Sequence, residues 1–173
     1  MIAAIYTCIY NESMLLYKIA EEFKKNKVQY AVVGGFALAL HGLVRSTIDI
    51  DFIIKLDLKN LQNAEESLKN LGLTSRLPIR AQDIFKMRKE YIENRNLIAW
   101  SFVNPKNPIE QVDIIITTDV NELETEHFSL AGQKISVISL SSLIKMKTAA
   151  GRPQDLVDLE NIKRLLNEQK KKK

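Results

Sequence analysis

Hydrophobic and polar residues alternate along this chain with a period that switches repeatedly between that of a helix and that of a strand. Apolar residues at helical spacing predict helices over 13–25, 36–41, 58–70, 82–94 and 140–150, and a last helix that begins at Pro153. Apolar runs of strand length predict strands over 28–33, 48–55, 97–104 and 110–118. The turn-rich segment PKNPI joins the last two of these strands as an antiparallel hairpin, and HFSLAGQKISVIS predicts a second, smaller hairpin around Ala131-Gly132.

Helices beside a mixed, mostly antiparallel sheet of about five strands predict an α+β fold, in the form of an α/β sandwich. No internal repeat or low-complexity linker marks a domain boundary in the sequence. We therefore expect one domain over residues 28–169, with residues 1–27 as an N-terminal segment and helix packed on its core, and residues 170–173 as a basic tail.

Two acidic residues interrupt the strand predicted over 48–55. Side chains two positions apart face the same side of a strand, so Asp49 and Asp51 form a pair about 6.6 Å apart along the chain. Asp113 is equally isolated in the apolar run QVDIIITT. If the two strands are neighbours, the three carboxylates converge, and oxygen ligands on rigid strands suit a magnesium ion shared with substrate phosphates. The alternative is that each aspartate ends a strand or faces solvent.

A pair of glycines, Gly34 and Gly35, lies between the first predicted strand and the short helix that follows it. Glycines at such a junction let backbone N–H groups approach phosphate oxygens, although they also serve simply to make a tight turn. The surrounding run GGFALALHG lacks the GxGxxG pattern of dinucleotide-binding proteins, and the chain has no P-loop motif.

The array of Gly34-Gly35, the segment RSTIDID that contains Arg45 and Thr47, and the isolated Asp113 resembles the nucleotidyltransferases of the DNA polymerase β superfamily. More narrowly, it is similar to the AbiEii/AbiGii toxin-type family, in which R-x-[ST]-x-D-hydrophobic-D follows a glycine–glycine turn. The K-x(4)-R-x-x-D-x-x-D arrangement that such proteins carry near the C-terminus is matched by Lys147, Arg152, Asp155 and Asp158. The resemblance covers about Val28 to Leu166. One departure is Gly35, because many members have a serine there that contacts a terminal phosphate.

This resemblance implies a polymerase β-like fold and transfer of a nucleoside monophosphate from a nucleoside triphosphate to a hydroxyl acceptor, with release of pyrophosphate. It implies two magnesium ions, which manganese can replace, held by Asp49, Asp51 and Asp113, with Asp113 also accepting the hydroxyl proton. Lys147 is implied as a further catalytic residue. The nucleotide-binding residues that it implies are Gly34, Gly35, Arg45, Thr47, Arg152, Asp155 and Asp158. The acceptor stays open between tRNA or another RNA, a protein and a small molecule, and a cognate antitoxin is the further partner implied for a toxin of this type.

The C-terminal block can also be interpreted from spacing alone. Asp155 falls within the apolar stripe of the last predicted helix and Asp158 lies at its edge, so both carboxylates need partners. Lys147 and Arg152 are the cations just upstream. Two interpretations stay open for this cluster, namely structural ion pairing and direct contact with a nucleotide.

Charge and cysteine content narrow the function further. Of the formal net charge of +4, Lys170 to Lys173 supply four charges, so the rest of the chain is neutral, which argues against strong phosphate-driven binding. Cys8 is the only cysteine, which excludes an internal disulfide and fits a cytoplasmic protein. The apolar opening MIAAIYTCIY is too short to span a membrane and lacks a basic leader, so no membrane association is expected. Two other functions stay open, a catalytically silent binding or antitoxin module and a nucleic-acid-binding domain without chemistry.

Overall fold

The structure, a computed structural model, describes residues 2–43, 47–130 and 132–171, with side chains described within 14–168. The described residues form α1 (Ile2–Lys25), β1 (Tyr30–Val33), α2 (Gly34–Leu40), β2 (Ile50–Ile54), α3 (Leu58–Asn70), β3 (Thr74–Ser75), α4 (Ala81–Arg95), β4 (Ala99–Asn104), β5 (Asn107–Ile115), a 3-10 turn (Val120–Glu122), β6 (Thr125–Leu130), β7 (Gln133–Ile138), α5 (Leu140–Ala150) and α6 (Pro153–Lys171).

One mixed sheet runs through the molecule in the strand order β3-β4-β5-β2-β1-β7-β6. The pairs β2/β5 and β1/β7 are parallel, and the four remaining pairs are antiparallel. The α+β class and both predicted hairpins are therefore confirmed, but the sheet has seven strands rather than about five. The hairpin β6–β7 joins the main sheet through β7, and β3, with two residues, is too short to leave an alternating pattern in the sequence.

Most helix boundaries agree with the hydrophobic pattern. The structure has α3 and α5 at the predicted residues, and α5 ends at Gly151, whose φ of 61° lies in the left-handed region. The first helix differs, because α1 begins at Ile2 rather than at residue 13, so the apolar opening continues the helix. The chain between α1 and β1 also takes two more residues than predicted, since β1 begins at Tyr30.

The core lies mainly on the sheet face that is covered by α1, α3 and α4. Phe23 of α1 meets Tyr30 and Phe52 edge to face, with ring centroids 5.2 and 5.3 Å apart. Trp100 and Phe102 of β4 are fully buried on the same sheet face. Burying one such side chain contributes roughly 1.5–3 kcal/mol, so this face holds the sheet in a fixed geometry. The opposite face of β4 and β5 is partly open to solvent, and it carries the polar residues considered next.

No helix in the described part of the chain combines the length and the apolar character needed to cross a lipid bilayer.

Candidate active site

Gly34 and Asp51 are in contact where β1 ends. Val33 pairs with Asp51 in the antiparallel ladder of β1 and β2, so Gly34 follows directly beside the aspartate. The backbone of Gly34 has a φ of +65°, and a Cβ at this position would lie 1.8 Å from Asp51 Oδ2. Any side chain at residue 34 would therefore displace the carboxylate. Glycine is required here by both the backbone conformation and the space that Asp51 occupies.

Asp113 lies next to Asp51 on the neighbouring strand. The strands β2 and β5 run parallel, with Asp51 in register with Asp113. On the far side, Ser101 of β4 is in register with Asp113. All three side chains are half-buried, and strands stand about 4.8 Å apart, so the two carboxylates face the same side of the sheet at close range. The predicted convergence of the two acidic strands is thus confirmed for Asp51 and Asp113.

Asp49 lies outside the ladder. The strand predicted over 48–55 begins only at Ile50, where pairing with β5 starts, and Asp49 is exposed just before it. The reason is that β1 ends at Val33, opposite Asp51, so no strand partner exists for residue 49 on that side. The predicted convergence of all three aspartates is therefore not seen, because Asp49 lies in the loop before β2 and is not grouped with Asp51 and Asp113.

The described side chains suit a shared metal ion better than a closed protein cage. Within the described ranges, no three carboxylate, histidine or cysteine side chains are grouped closely enough to hold a metal ion. Two carboxylates in register on adjacent strands are nevertheless a suitable donor set for magnesium, which binds through one or two carboxylates and takes its other ligands from substrate phosphates and water. The residues thus fit an ion that arrives together with a nucleotide.

Thr47 packs against the second glycine of the turn. A Cβ on Gly35 would lie 2.7 to 2.8 Å from the Cβ, Cγ2 and Oγ1 atoms of Thr47, which is closer than real contacts allow. The Thr47 side chain thus occupies the space that a residue-35 side chain would need. Arg45, which was also predicted to bind the nucleotide, lies outside the described residues.

One ion-pair cluster lies where α5 meets α6, and it consists of the buried Lys147, Asp155 and Asp158 and the exposed Arg152. Lys147 Nζ donates to Asp158 Oδ2 at 2.6 Å and to Asp155 Oδ1 at 3.1 Å. On the other side of Asp155, Arg152 Nε donates to Oδ2 at 2.7 Å. The side chains of Lys147, Asp155 and Asp158 are at most 6% exposed, whereas that of Arg152 is 74% exposed.

Arg152 is bound to Asp155 and also interacts electrostatically with Asp51. The hydrogen bond to Asp155 is the main cause that raises the pKa of Arg152 above its ordinary value, and the charges of Asp155 and Asp51 add to it. Burial alone would raise the pKa of Asp155, but hydrogen bonds from Arg152 and Lys147 outweigh this effect and hold it below its ordinary value of 3.8. Arg152 is therefore an exposed cation within electrostatic reach of Asp51.

Sequence reasoning missed Ser101. Counting back from the turn of the β4–β5 hairpin, where Asn104 pairs with Asn107, would place Ser101 opposite Glu110. The register shift between Val103 and Asn104 brings it opposite Asp113 instead, and the sequence gives no sign of that shift. His41, in contrast, has a structural environment, since its Nε2 atom lies 2.8 Å from the Ile138 carbonyl oxygen and its ring meets Phe128 edge to face.

Comparison with solved structures identifies the fold. The chain is similar to the antibiotic-resistance factor ANT(2'')-Ia, with a TM-score of 0.60 and 13% identity over 94% of this chain and 93% of that one. It is also similar to the lincosamide antibiotic adenylyltransferase LnuA, with a TM-score of 0.60 and 15% identity over 88% and 96% of the two chains. An antigenic nucleotidyltransferase-like protein from Paracoccidioides brasiliensis gives a TM-score of 0.56 and 16% identity over 91% and 76%.

No protein-family model matches this sequence, and no curated protein sequence matches it either. The structural neighbours are nucleotidyltransferases and a nucleotidyltransferase-like protein, so the chain has a nucleotidyltransferase fold.

Proposed function

We propose that this protein is a nucleotidyltransferase that transfers a nucleoside monophosphate from a nucleoside triphosphate to a hydroxyl acceptor and releases pyrophosphate. The observation that carries this proposal is the row formed by the glycine turn, Asp51 and Asp113, in which Gly34 leaves room for the Asp51 carboxylate and the strand register sets Asp113 beside it. Such a row sets carboxylate ligands beside the half-buried Gly34, which supports the handling of a charged triphosphate.

Asp51 and Asp113 would hold magnesium, with Asp49 reaching it from the loop before β2. Bound there with the triphosphate, magnesium would neutralise phosphate charge and lower the pKa of the acceptor hydroxyl. Manganese, which also takes oxygen ligands, would be able to replace it. Such a cation would reduce the repulsion between the two neighbouring carboxylates.

The order of residues across the sheet supports a different side of Asp51 for each substrate. The glycine turn lies on one side of Asp51, and Asp113 with Ser101 lies on the other. The triphosphate would thus lie by Gly34 and Gly35, with Thr47 and Arg45 from the adjoining loop, and the acceptor hydroxyl by Asp113. Asp113 would accept the proton of that hydroxyl as the bond to the α-phosphorus forms and pyrophosphate leaves.

Arg152 is the cation that this geometry offers to the phosphates. It is exposed, held by Asp155 and near enough to Asp51 to be influenced by its charge. Lys147 was expected to act in catalysis, but its ammonium group is buried between Asp155 and Asp158. Its role would then be to position Asp155, and through Asp155 the guanidinium of Arg152, against developing negative charge.

Resemblance to the AbiEii/AbiGii family supports a cytoplasmic toxin with a cognate antitoxin as the biological setting. The structural neighbours support a small-molecule acceptor instead, since ANT(2'')-Ia is known in complex with adenylyl-2''-tobramycin and LnuA with lincomycin. Both settings use the same transfer reaction, and tRNA or another RNA remains the acceptor that the toxin setting would favour.

A catalytically silent binding module is the second candidate, and one observation favours it. In the described residues no three metal-binding side chains are grouped, and Asp49 lies outside the strand. A silent module would bind a nucleoside triphosphate without transferring it.

The test is incubation of the purified protein with each α-labelled nucleoside triphosphate, magnesium and a cell lysate, followed by measurement of label in RNA, protein and small-molecule fractions. Transfer of label that requires Asp113 supports the enzyme. Binding of triphosphate with no labelled product in any fraction, and the same binding in the Asp113→Asn variant, supports the silent module.

A further inference from the structure

One face of strands β3, β4 and β5 carries a group of polar side chains beside Asp113. Its residues, here called the acceptor face, are Thr74, Arg76, Ser101, Gln111 and Asp113. Strand alternation puts these side chains on the opposite side from Trp100 and Phe102, which are fully buried. All five are half-buried or exposed, so this side of the sheet is polar and reachable while the other side is closed.

The backbone at Arg76 is fixed from the buried side of the sheet. Trp100 Nε1 donates to Ser75 Oγ at 2.9 Å, and Ser75 Oγ donates in turn to the Leu77 carbonyl oxygen at 2.7 Å. The Arg76 amide continues the ladder by donating to the Ser101 carbonyl oxygen at 2.9 Å. Ser75 is held towards Trp100, and Arg76 follows β3 while still bonded to Ser101. The Arg76 side chain therefore lies on the opposite side of the sheet, on the acceptor face.

The guanidinium of Arg76 reaches across β4 to β5. Its Nη1 atom donates to Gln111 Oε1 at 3.4 Å. Gln111 Nε2 donates in turn to the Pro108 carbonyl oxygen at 3.1 Å, which fixes the orientation of the Gln111 amide. No carboxylate within the described ranges forms an ion pair with Arg76. A guanidinium has five N–H donors, so most of this fork faces solvent on the same face as Asp113.

We propose that the acceptor face binds the second substrate and that Arg76 recognises a phosphate group on it. An exposed guanidinium fork matches a phosphate in a bidentate manner, while Thr74 and Ser101 offer hydroxyl groups that suit a neighbouring sugar. A phosphorylated sugar with a free hydroxyl carries both groups within a few bonds. A polycationic acceptor such as tobramycin would instead meet a like charge at Arg76.

This inference rests on the proposed function for the identity of the second substrate, but its binding can be measured alone. The experiment is an NMR titration of the full chain, without nucleoside triphosphate, that follows the backbone amides of Arg76 and Ser101 and the indole N–H of Trp100. The probes are ribose, ribose 5-phosphate, a hydroxyl-ended oligoribonucleotide and tobramycin. Variants are Arg76→Gln and, as a matched charge control, Arg164→Gln at an exposed position of α6.

We expect ribose 5-phosphate or the oligoribonucleotide to shift the acceptor-face signals and ribose to leave them unchanged. Arg76→Gln should weaken that binding at least about tenfold, as loss of a charge-assisted hydrogen bond does, and Arg164→Gln should leave it unchanged. Binding of ribose 5-phosphate with an affinity equal to that of the oligoribonucleotide assigns the phosphate to a small molecule, and binding of the oligoribonucleotide alone assigns it to a polynucleotide.

Three results would overturn the proposal: equal shifts with ribose and ribose 5-phosphate, no shift with any phosphorylated probe, or binding that Arg76→Gln does not weaken. Binding of tobramycin at the acceptor face that is tighter than the binding of ribose 5-phosphate and of the oligoribonucleotide would overturn it as well. Failure of the proposed function would appear elsewhere, as the absence of labelled product when the wild-type protein is incubated with α-labelled nucleoside triphosphate, magnesium and a cell lysate.

Discussion

The Asp51 carboxylate fills the space beside Gly34 at the end of β1, where a Cβ on the glycine would lie 1.8 Å from Asp51 Oδ2. The glycine turn and the acidic strand are thus one unit rather than two motifs that happen to be near in sequence. The residue at position 34 therefore limits where the Asp51 carboxylate can lie.

Gly34→Ala should abolish activity at a moderate cost in stability. The positive φ costs roughly 1–2 kcal/mol for a residue with a side chain, and the added methyl group must also move the Asp51 carboxylate. Gly72→Ala is the matched control, since Gly72 has a φ of +82° with nothing within 4 Å of its Cβ position. Urea denaturation and activity per folded molecule distinguish the two. Equal activity in both variants would show that the Gly34–Asp51 contact has no functional role.

Gly35→Ser should destabilise the protein and Thr47→Gly should reverse part of that effect. A residue-35 Cβ meets three Thr47 atoms at 2.7 to 2.8 Å, so the single variant is overpacked by roughly 1–3 kcal/mol. One of the three atoms is the Thr47 Cβ, so glycine rather than alanine is needed at residue 47 to remove all of them. A double-mutant cycle on the free energy of unfolding checks this, and additive effects would mean that the two residues are not in contact.

Asp51→Asn and Asp113→Asn should both remove activity, because both carboxylates are proposed to hold magnesium. Asp113→Asn should also leave the free energy of unfolding unchanged or raised, since it removes the repulsion between two carboxylates in register on neighbouring strands. Wild-type protein should be stabilised by nucleoside triphosphate with magnesium, by about 2.7 kcal/mol at a hundredfold excess over Kd, and not by triphosphate in chelator. Thermal melts of the three proteins measure both effects. Stabilisation that persists in chelator contradicts the magnesium assignment.

Lys147→Met and Arg152→Gln should separate stability from turnover. Lys147 is the cation shared by two buried carboxylates, so its loss should cost about 3–5 kcal/mol of unfolding free energy. Loss of the exposed Arg152 side chain should lower the unfolding free energy by less than about 1 kcal/mol. Turnover of Arg152→Gln should nevertheless fall about a hundredfold or more, because the positive charge that stabilises the transition state is lost. Lys163→Gln, at an exposed position of α6, is the control. A stable Lys147→Met protein with slow turnover would restore Lys147 to direct phosphate contact.

Asp155 predicts a specific pH dependence of stability. Its folded-state pKa is lowered, because hydrogen bonds from Arg152 and Lys147 outweigh the effect of burial. A lowered pKa contributes stability above the unfolded-state value of 3.8, and this contribution is lost as the pH falls through the folded-state pKa. The difference in unfolding free energy between wild type and Asp155→Asn should therefore narrow below about pH 4. A difference that stays constant from neutral to acid pH contradicts the proposed ion pair.

The sequence predicted most of this fold because each helix and hairpin has a local signal. The two helices with the clearest ends, α3 and α5, are bounded by Asp57, which accepts a hydrogen bond from the Asn60 amide, and by Gly151 in the left-handed region. Local signals cannot give the strand order, since the parallel pairing of β2 with β5 joins segments that are far apart in the chain. That pairing could be expected only by assuming that two isolated acidic residues share one task.

The limits of sequence reasoning at the site are equally physical. The exposure of Asp49 follows from where β1 ends, and the burial of Lys147 follows from how α5 packs on α6, neither of which a motif records. Arg76 and Ser101 carry no motif, because their position beside Asp113 depends on strand register alone. A residue whose role comes from register is visible only after the sheet has been assembled.

The pairing of β2 with β5 also makes the candidate site depend on a contact between distant parts of the chain. Asp51 and Asp113 are separated in sequence by α3, β3, α4 and β4, so no local segment holds both carboxylates together. Long-range pairing of this kind is slow to form, since the entropy of closing the loop must be lost before the contacts compensate for it. An unfolded chain therefore carries every residue of the candidate site and still has no site.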